Sequence, residues 1–323
     1  MSPPPANATL TEGARLAAIY ETILAADFDR ARLDLTRSCP PAPAEACAAL
    51  GVVSLWWQIA QNPDSRALDD RLNTAARDAI AACTAWTRRE PGRAEAWFYL
   101  AGAYAPLVQL RVLRGERISA ARDGARIKTA LEQALALDPA LDDAHFGIGL
   151  YRYYADVAPL GAKILRVLLL LPGGDKARGL REMLQARDRG VFVRGEAEYQ
   201  LHWLYLWYEG QPARALELVR GLDARYPSNP LFLERAAIVQ HEYFHDHRAS
   251  AASWQIAIDR AQAGRVRDAP LAEARARLGL AAELIELDAA ARAVEEIDRV
   301  IAMHAPEPYG ARALALRRKL LTK

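Results

Sequence analysis

Apolar residues recur at intervals of three and four along nearly the whole chain, and almost no segment alternates with the two-residue period of a strand. That spacing lays one apolar stripe along a 3.6-residue helix, so the pattern predicts an all-α protein. Proline and glycine interrupt it at helix-length intervals: Pro63, Pro91-Gly92, Pro139, Pro172-Gly173-Gly174, Gly210, Pro227, Pro230, Pro306 and Pro308. Such residues end helices, because proline lacks the N–H of the backbone ladder and glycine is a poor helix former. Thr9 with Glu12 predicts a capping box opening the first helix, and Pro212 fits the first turn of another.

The helices repeat. Ala215, Val219 and Leu222 precede Pro227, and Ala249, Ser253 and Ile256 stand 34 residues after them. Ile127, Leu131, Ala134 and Pro139 keep the same spacing, as do Ala79, Cys83, Trp86 and Pro91; Ala293, Ile297 and Val300 precede Pro306. Trp97, Leu100, Ala101 and Tyr104 form a first-helix motif whose central step returns in Ile148-Gly149 and Leu278-Gly279. On these residues the chain resembles the tetratricopeptide repeat of bacterial type, a 34-residue helix hairpin. The stretch LLPGGDKARGL adds a fainter resemblance to inclusion-body-clearance tetratricopeptide proteins, from which no function is taken.

The resemblance implies a right-handed α-solenoid of about five or six helix pairs over about residues 44–306, capped by a helix from Tyr309 to Leu321. Small residues at Ala101, Gly149 and Gly279 would let paired helices approach closely, whereas His202-Trp203 replaces the small step and puts Trp203 between helices. The expected organisation is a disordered segment at 1–10, repeats over 11–154, an apolar insertion or linker helix over 155–175, and further repeats with the cap over 176–323. Between Pro159 and Pro172 lie 12 mostly Leu, Ile and Val residues, broken by Lys163 and Arg166. They are expected to form a helix buried on the repeats; a lid or a membrane-touching finger is the alternative.

Composition narrows the function classes. Hydrophobic residues make up 52%, enough for an extensive core, and 42 basic against 40 acidic residues leave a net charge of +2. A balance so near zero offers no general field for nucleic acid, and none is expected as a partner. The basic run Arg111, Arg114, Arg117, Arg122, Arg126 and Lys128 reads as a solvated helix face. No stretch reaches the roughly 18 apolar residues that span a bilayer. As the sequence is written the expected location is cytoplasmic, or periplasmic if an export leader has been removed. Cys39 and Cys47 flank Pro40-Pro41-Ala42-Pro43, a spacing that suits either a disulfide across a helix corner or two buried thiols; Cys83 falls on an apolar helix face.

One motif has the form of an enzyme site. His241-Glu242-Tyr243-Phe244-His245 satisfies H-E-x-x-H, in which two histidines one helical turn apart share a zinc and the glutamate activates its water. Asp246 and His247 add further potential ligands. Repeat phasing places this segment at a junction between helices, so the helix is expected to end inside the motif. Neither a catalytic zinc nor any other cofactor is expected. Gly147-Ile148-Gly149, Pro172-Gly173-Gly174-Asp175-Lys176 and the absence of G-x-S-x-G give no nucleotide or hydrolase signature.

The resemblance also implies a concave groove lined by first helices. Carried over position by position, Phe98, Phe146, Leu150, Tyr153, Tyr154, Gln200, Leu204, Trp207, Tyr208 and His241 would face it. An aromatic groove suits apolar anchors of a peptide. The expected function is therefore a non-catalytic scaffold for a protein or peptide, with a zinc hydrolase at His241 and His245 and a membrane-peripheral assembly factor as the alternatives.

Overall fold

The computed structural model describes residues 10–157 and 173–321, and the regular elements within them are all helices. They form α1 Gly13–Leu24, α2 Phe28–Ser38, α3 Ala44–Gln61, α4 Asp69–Arg89, α5 Ala94–Leu113, α6 Arg117–Leu137, α7 Ala144–Val157, α8 Lys176–Arg189, α9 Arg194–Trp207, α10 Pro212–Arg225, α11 Pro230–Phe244, α12 His247–Gln262, α13 Ala269–Glu286, α14 Ala290–Ala302 and α15 Tyr309–Leu321. Helices α1 to α8 and α10 to α15 pack on their neighbours in chain order, and first helices of successive hairpins also touch: α1 on α3, α3 on α5, α11 on α13. Helix hairpins in series, each packed on the next, make the fold tetratricopeptide-like. Between residues 44 and 306 the described residues contain six pairs, as expected; α1 and α2 add another before them, and the last helix has the predicted bounds. Thr9 and the apolar stretch 160–171 lie outside the described residues.

Five of the hairpins share a turn. Ala26, Gly115, Gly210, His245 and Asp288 all have left-handed backbone, with φ of 60°, 81°, 62°, 51° and 57°. In each case one residue follows and then the second helix begins, at Phe28, Arg117, Pro212, His247 and Ala290. A left-handed residue reverses the chain within one step and satisfies carbonyls at the end of the first helix. Asp27 and Asp246 then cap the second helix by accepting the N–H of Arg30 and Ala249 at 3.2 and 3.0 Å.

This turn corrects the repeat phase. Gly210 and His245 stand 35 residues apart, so α12 starts one residue later than a 34-residue unit requires. One residue rotates a helix by about 100°. Ser250, Trp254 and Ala257 are consequently buried in place of the expected Ala249, Ser253 and Ile256, and Ile256 is 47% exposed. Three other phased sets keep their inward face, since Ala79, Cys83 and Trp86, Ala215, Val219 and Leu222, and Ala293, Ile297 and Val300 are all buried; in the remaining set Leu131 and Ala134 are buried and Ile127 half-buried.

The small residues work as expected. A Cβ on Gly149 would lie 2.6 Å from the carbonyl oxygen of Gly179, and one on Gly179 would lie 2.5 Å from that of Gly149, so α7 and α8 cross backbone to backbone. A Cβ on Gly279 would strike the indole of Trp254 at 2.3 Å. Helix α7 packs on α8, the next described helix along the chain. The chain divides into compact units between Ala197 and Glu198.

In the first unit Phe192 meets the rings of Tyr20, Phe98 and Tyr99 at 5.2, 6.0 and 6.2 Å. The loop before Phe192 is fixed by Asp143, whose carboxylate accepts the N–H groups of Val191, Phe192 and Val193 at 3.2, 2.8 and 2.9 Å. Burial pushes that carboxyl up while the three backbone bonds pull it down, and burial dominates. Cys39 and Cys47 are joined as a disulfide with Cα atoms 6.5 Å apart, tying the end of α2 to the first turns of α3. Glu12 occupies the N-cap of α1 with φ 55°, and Thr11 donates its N–H and hydroxyl to Glu95 at 2.8 and 3.0 Å.

Candidate functional site

In the second unit α9 places Tyr199, Trp203 and Trp207 four residues apart, which puts them on one helix face. Tyr199 and Trp203 meet edge to face at 6.3 Å, and Trp203 and Trp207 lie 4.3 Å apart with planes 31° from parallel. Arg235 of α11 sets its guanidinium 4.6 Å from the ring centre of Trp203. Exposure rises along the row: Tyr199 and Trp203 are half-buried, whereas Trp207 is 57% and its neighbour Tyr208 40% exposed. The row ends as an aromatic surface just before the turn at Gly210.

His202 supports the row from beneath. It is fully buried, with ring centres 4.8 Å from Tyr199 and 4.3 Å from Trp203. Its Nδ1 bonds the carbonyl of Tyr199, and its Nε2 has no hydrogen-bond partner. Burial, and secondarily the charge of Arg235, lower its pKa to about 3, so the ring is neutral at pH 7.

The structure redistributes the ten residues assigned to the groove. Phe98, Tyr153 and Leu204 are buried, because their faces pack against other helices. Phe146, Leu150, Tyr154, Gln200 and His241 are half-buried, and Trp207 and Tyr208 are exposed. Trp203, expected between helices, is only half-buried and belongs to the surface row, while Leu204 and His202 take the inward positions. Arg235 was missed because nothing in the sequence links a lone arginine on α11 to a ring 32 residues earlier.

The H-E-x-x-H motif comes apart at the turn. Helix α11 ends at Phe244, and His245 is its C-cap, left-handed and exposed. Glu242 is exposed as well. His241 turns to Glu283 on α13, its Nδ1 3.0 Å from both carboxylate oxygens, and His247 at the start of α12 places its Nδ1 2.9 Å from Oε2. The two imidazoles meet at 5.2 Å. Ser250 Oγ lies 2.8 Å from Glu283 Oε1 and 2.9 Å from the carbonyl of Ala237. The sequence carried a signal for Glu283: a carboxylate at an inward position among Leu280, Ala281 and Leu284 needs partners.

Four members of the basic run are engaged within the protein, while Arg117 and Arg122 are exposed. Arg111 and Arg126 both pair with buried Asp123, Lys128 pairs with Glu132, and Arg114 binds Asp69 at 2.7 Å and the carbonyls of Pro63 and Ser65 at 2.7 and 2.6 Å. Among the described residues no helix is long and apolar enough to cross a membrane.

No protein-family model matches the sequence, and no curated protein matches it. Among solved structures the chain is similar to YrrB, a TPR protein with an unusual peptide-binding site, at 14% identity and a TM-score of 0.44 over 72% of this chain and 98% of that one. It is also similar to a monomeric mutant of IFIT1 with Gppp-AAAA, at 13% identity and a TM-score of 0.37 over 94% of this chain and 71% of that one.

Proposed function

We propose that the protein is a non-catalytic scaffold that binds a protein or peptide through the aromatic row on α9. The observation that carries this reading is Trp207, 57% exposed yet stacked on Trp203, which Arg235 covers in turn. An isolated exposed tryptophan loses conformational freedom when a partner captures it; one already stacked has lost much of it beforehand. Tryptophan, tyrosine and arginine are also the residues that concentrate binding energy at interfaces. A partner segment bearing an aromatic or aliphatic anchor suits this surface. The near-neutral net charge favours such a partner over nucleic acid, and the loss of His245 to a turn favours a non-catalytic role.

The test is peptide selection. A displayed random-peptide library is panned on the wild-type protein with Trp207→Ala/Tyr208→Ala as counter-target, and individual peptides are measured by fluorescence anisotropy. The expected result is a family of peptides with an apolar anchor whose affinity falls at least tenfold on the double variant. Peptides that bind both proteins equally would remove the row from the working surface.

A further inference from the structure

We infer that His241, His247 and Glu283 form a binding site for a divalent transition metal, zinc in the first instance. The ligand set differs from the one H-E-x-x-H denotes: it drops His245, keeps His241, and draws its other two members from the next two helices. One ligand atom from each residue lies within 4.8 Å of the others, and the imidazole-to-carboxylate separations are 2.9 and 3.0 Å. Zinc with bonds of about 2.0–2.2 Å in a tetrahedral shell separates its ligand atoms by about 3.4 Å. To receive it the two imidazole-to-carboxylate separations open by about 0.5 Å and the widest separation closes by up to about 1.4 Å, within reach of side-chain rotation.

Burial and chemistry fit the assignment. Glu283 has 3% of its side chain exposed, and the imidazoles of His241 and His247 have 37% and 24%, so the carboxylate forms the floor and the rings an opening to solvent. Two imidazole nitrogens and one carboxylate oxygen suit zinc, and leave a fourth position to water. Ser250 contacts the carboxylate oxygen Oε1, His247 meets Oε2 and His241 lies 3.0 Å from both, so an outer hydroxyl orients the ligating carboxylate. The ligands come from the last turn of α11, the first residue of α12 and the last turn of α13, so a bound ion would clamp three consecutive helices. The competing account is a hydrogen-bonded cluster in which both imidazoles donate Nδ1–H to the carboxylate.

The experiment uses the full chain without an affinity tag. Protein loaded with zinc is dialysed against a weak chelator and assayed for metal, and a cobalt-loaded sample is read by its visible absorption, which reports nitrogen and oxygen ligation directly. We expect one zinc per chain. His247→Ala and Glu283→Gln should each release it, Ser250→Ala should weaken it by roughly 10- to 100-fold, and His245→Ala should leave it unchanged. His247→Gln, at a part-exposed position, serves if Glu283→Gln does not fold by circular dichroism. Wild-type protein that emerges free of zinc and shows no cobalt bands would leave only the hydrogen-bonded cluster and overturn the proposal. So would a His245→Ala variant that loses metal as completely as His247→Ala.

Discussion

Gly149 and Gly179 cross so closely that a methyl group on either would overlap the other's carbonyl oxygen. This contact is what joins α7 to α8. Gly179→Ala should therefore destabilise the protein by about 1–3 kcal/mol, the usual cost of forcing a group into filled space. Gly221, a helical glycine with nothing within 4 Å of its would-be Cβ, is the control. Gly221→Ala should stabilise by about 0.5–1 kcal/mol through helix propensity alone. Thermal melts that moved the same way for both would show that the crossing is looser than described.

His202 should make stability depend on pH. Its folded pKa of about 3 lies below the ordinary 6.5, so the unfolded chain takes up the proton first as pH falls. Its contribution is intact above pH 6.5 and is lost on acidification toward 3, by about 1.4 kcal/mol per unit for one proton. Between pH 7 and pH 5 the loss is about 2 kcal/mol. Denaturant titrations of wild type and His202→Leu at both values isolate this term, because the variant cannot take up that proton. Equal pH slopes would mean that the imidazole is not held neutral by burial.

Trp203 and Trp207 should differ in kind. Trp203→Ala removes a half-buried ring and exposes its neighbours, so a loss of about 2 kcal/mol in stability is expected, less than the roughly 3–5 of a fully buried tryptophan such as Trp57. Trp207→Ala should cost about 1 kcal/mol, the worth of its stacking. Against a selected peptide the order reverses, with roughly 2 kcal/mol or more of affinity lost at Trp207. Calorimetry on both variants decides it; a Trp207 variant that melts as low as the Trp203 variant would place that ring inside the fold.

The cysteines give a chemical test. Intact mass under non-reducing, denaturing conditions should show one reactive thiol and a chain two hydrogens lighter than the reduced protein. Closing a loop with a sequence separation of 8 should add about 2–3 kcal/mol, lost on reduction. Cys83 should resist alkylation in the folded state, since burial and then Glu45 push its thiol up to about 12. Three thiols in unreduced protein would discard the disulfide.

Much of the architecture was legible because it is local. Helix periodicity, proline punctuation and small residues at Gly149 and Gly279 are written in short windows, and so is the terminal helix. The phase of α12 was not, because a single added residue before His245 leaves the period looking intact while rotating the whole of the next helix. The candidate site shows the same division. The aromatic residues near the end of α9 could be read, yet which of Trp203 and Leu204 turns inward depends on neighbouring helices. Glu283 was hidden for a similar reason: its partners lie 42 and 36 residues away, on helices whose rotation the repeat pattern misjudges.

The shared turn has a further consequence for the stability ceiling of the chain. Gly115 and Gly210 enter the left-handed region freely, but Ala26, His245 and Asp288 hold the same geometry with a side chain attached. For alanine that conformation costs about 1–2 kcal/mol, partly offset in any glycine replacement by the greater freedom glycine has when unfolded. The hairpins are thus assembled with slack still in them. Hardening this protein for heat or handling would begin at a few hairpin corners, with every helix face left as it is.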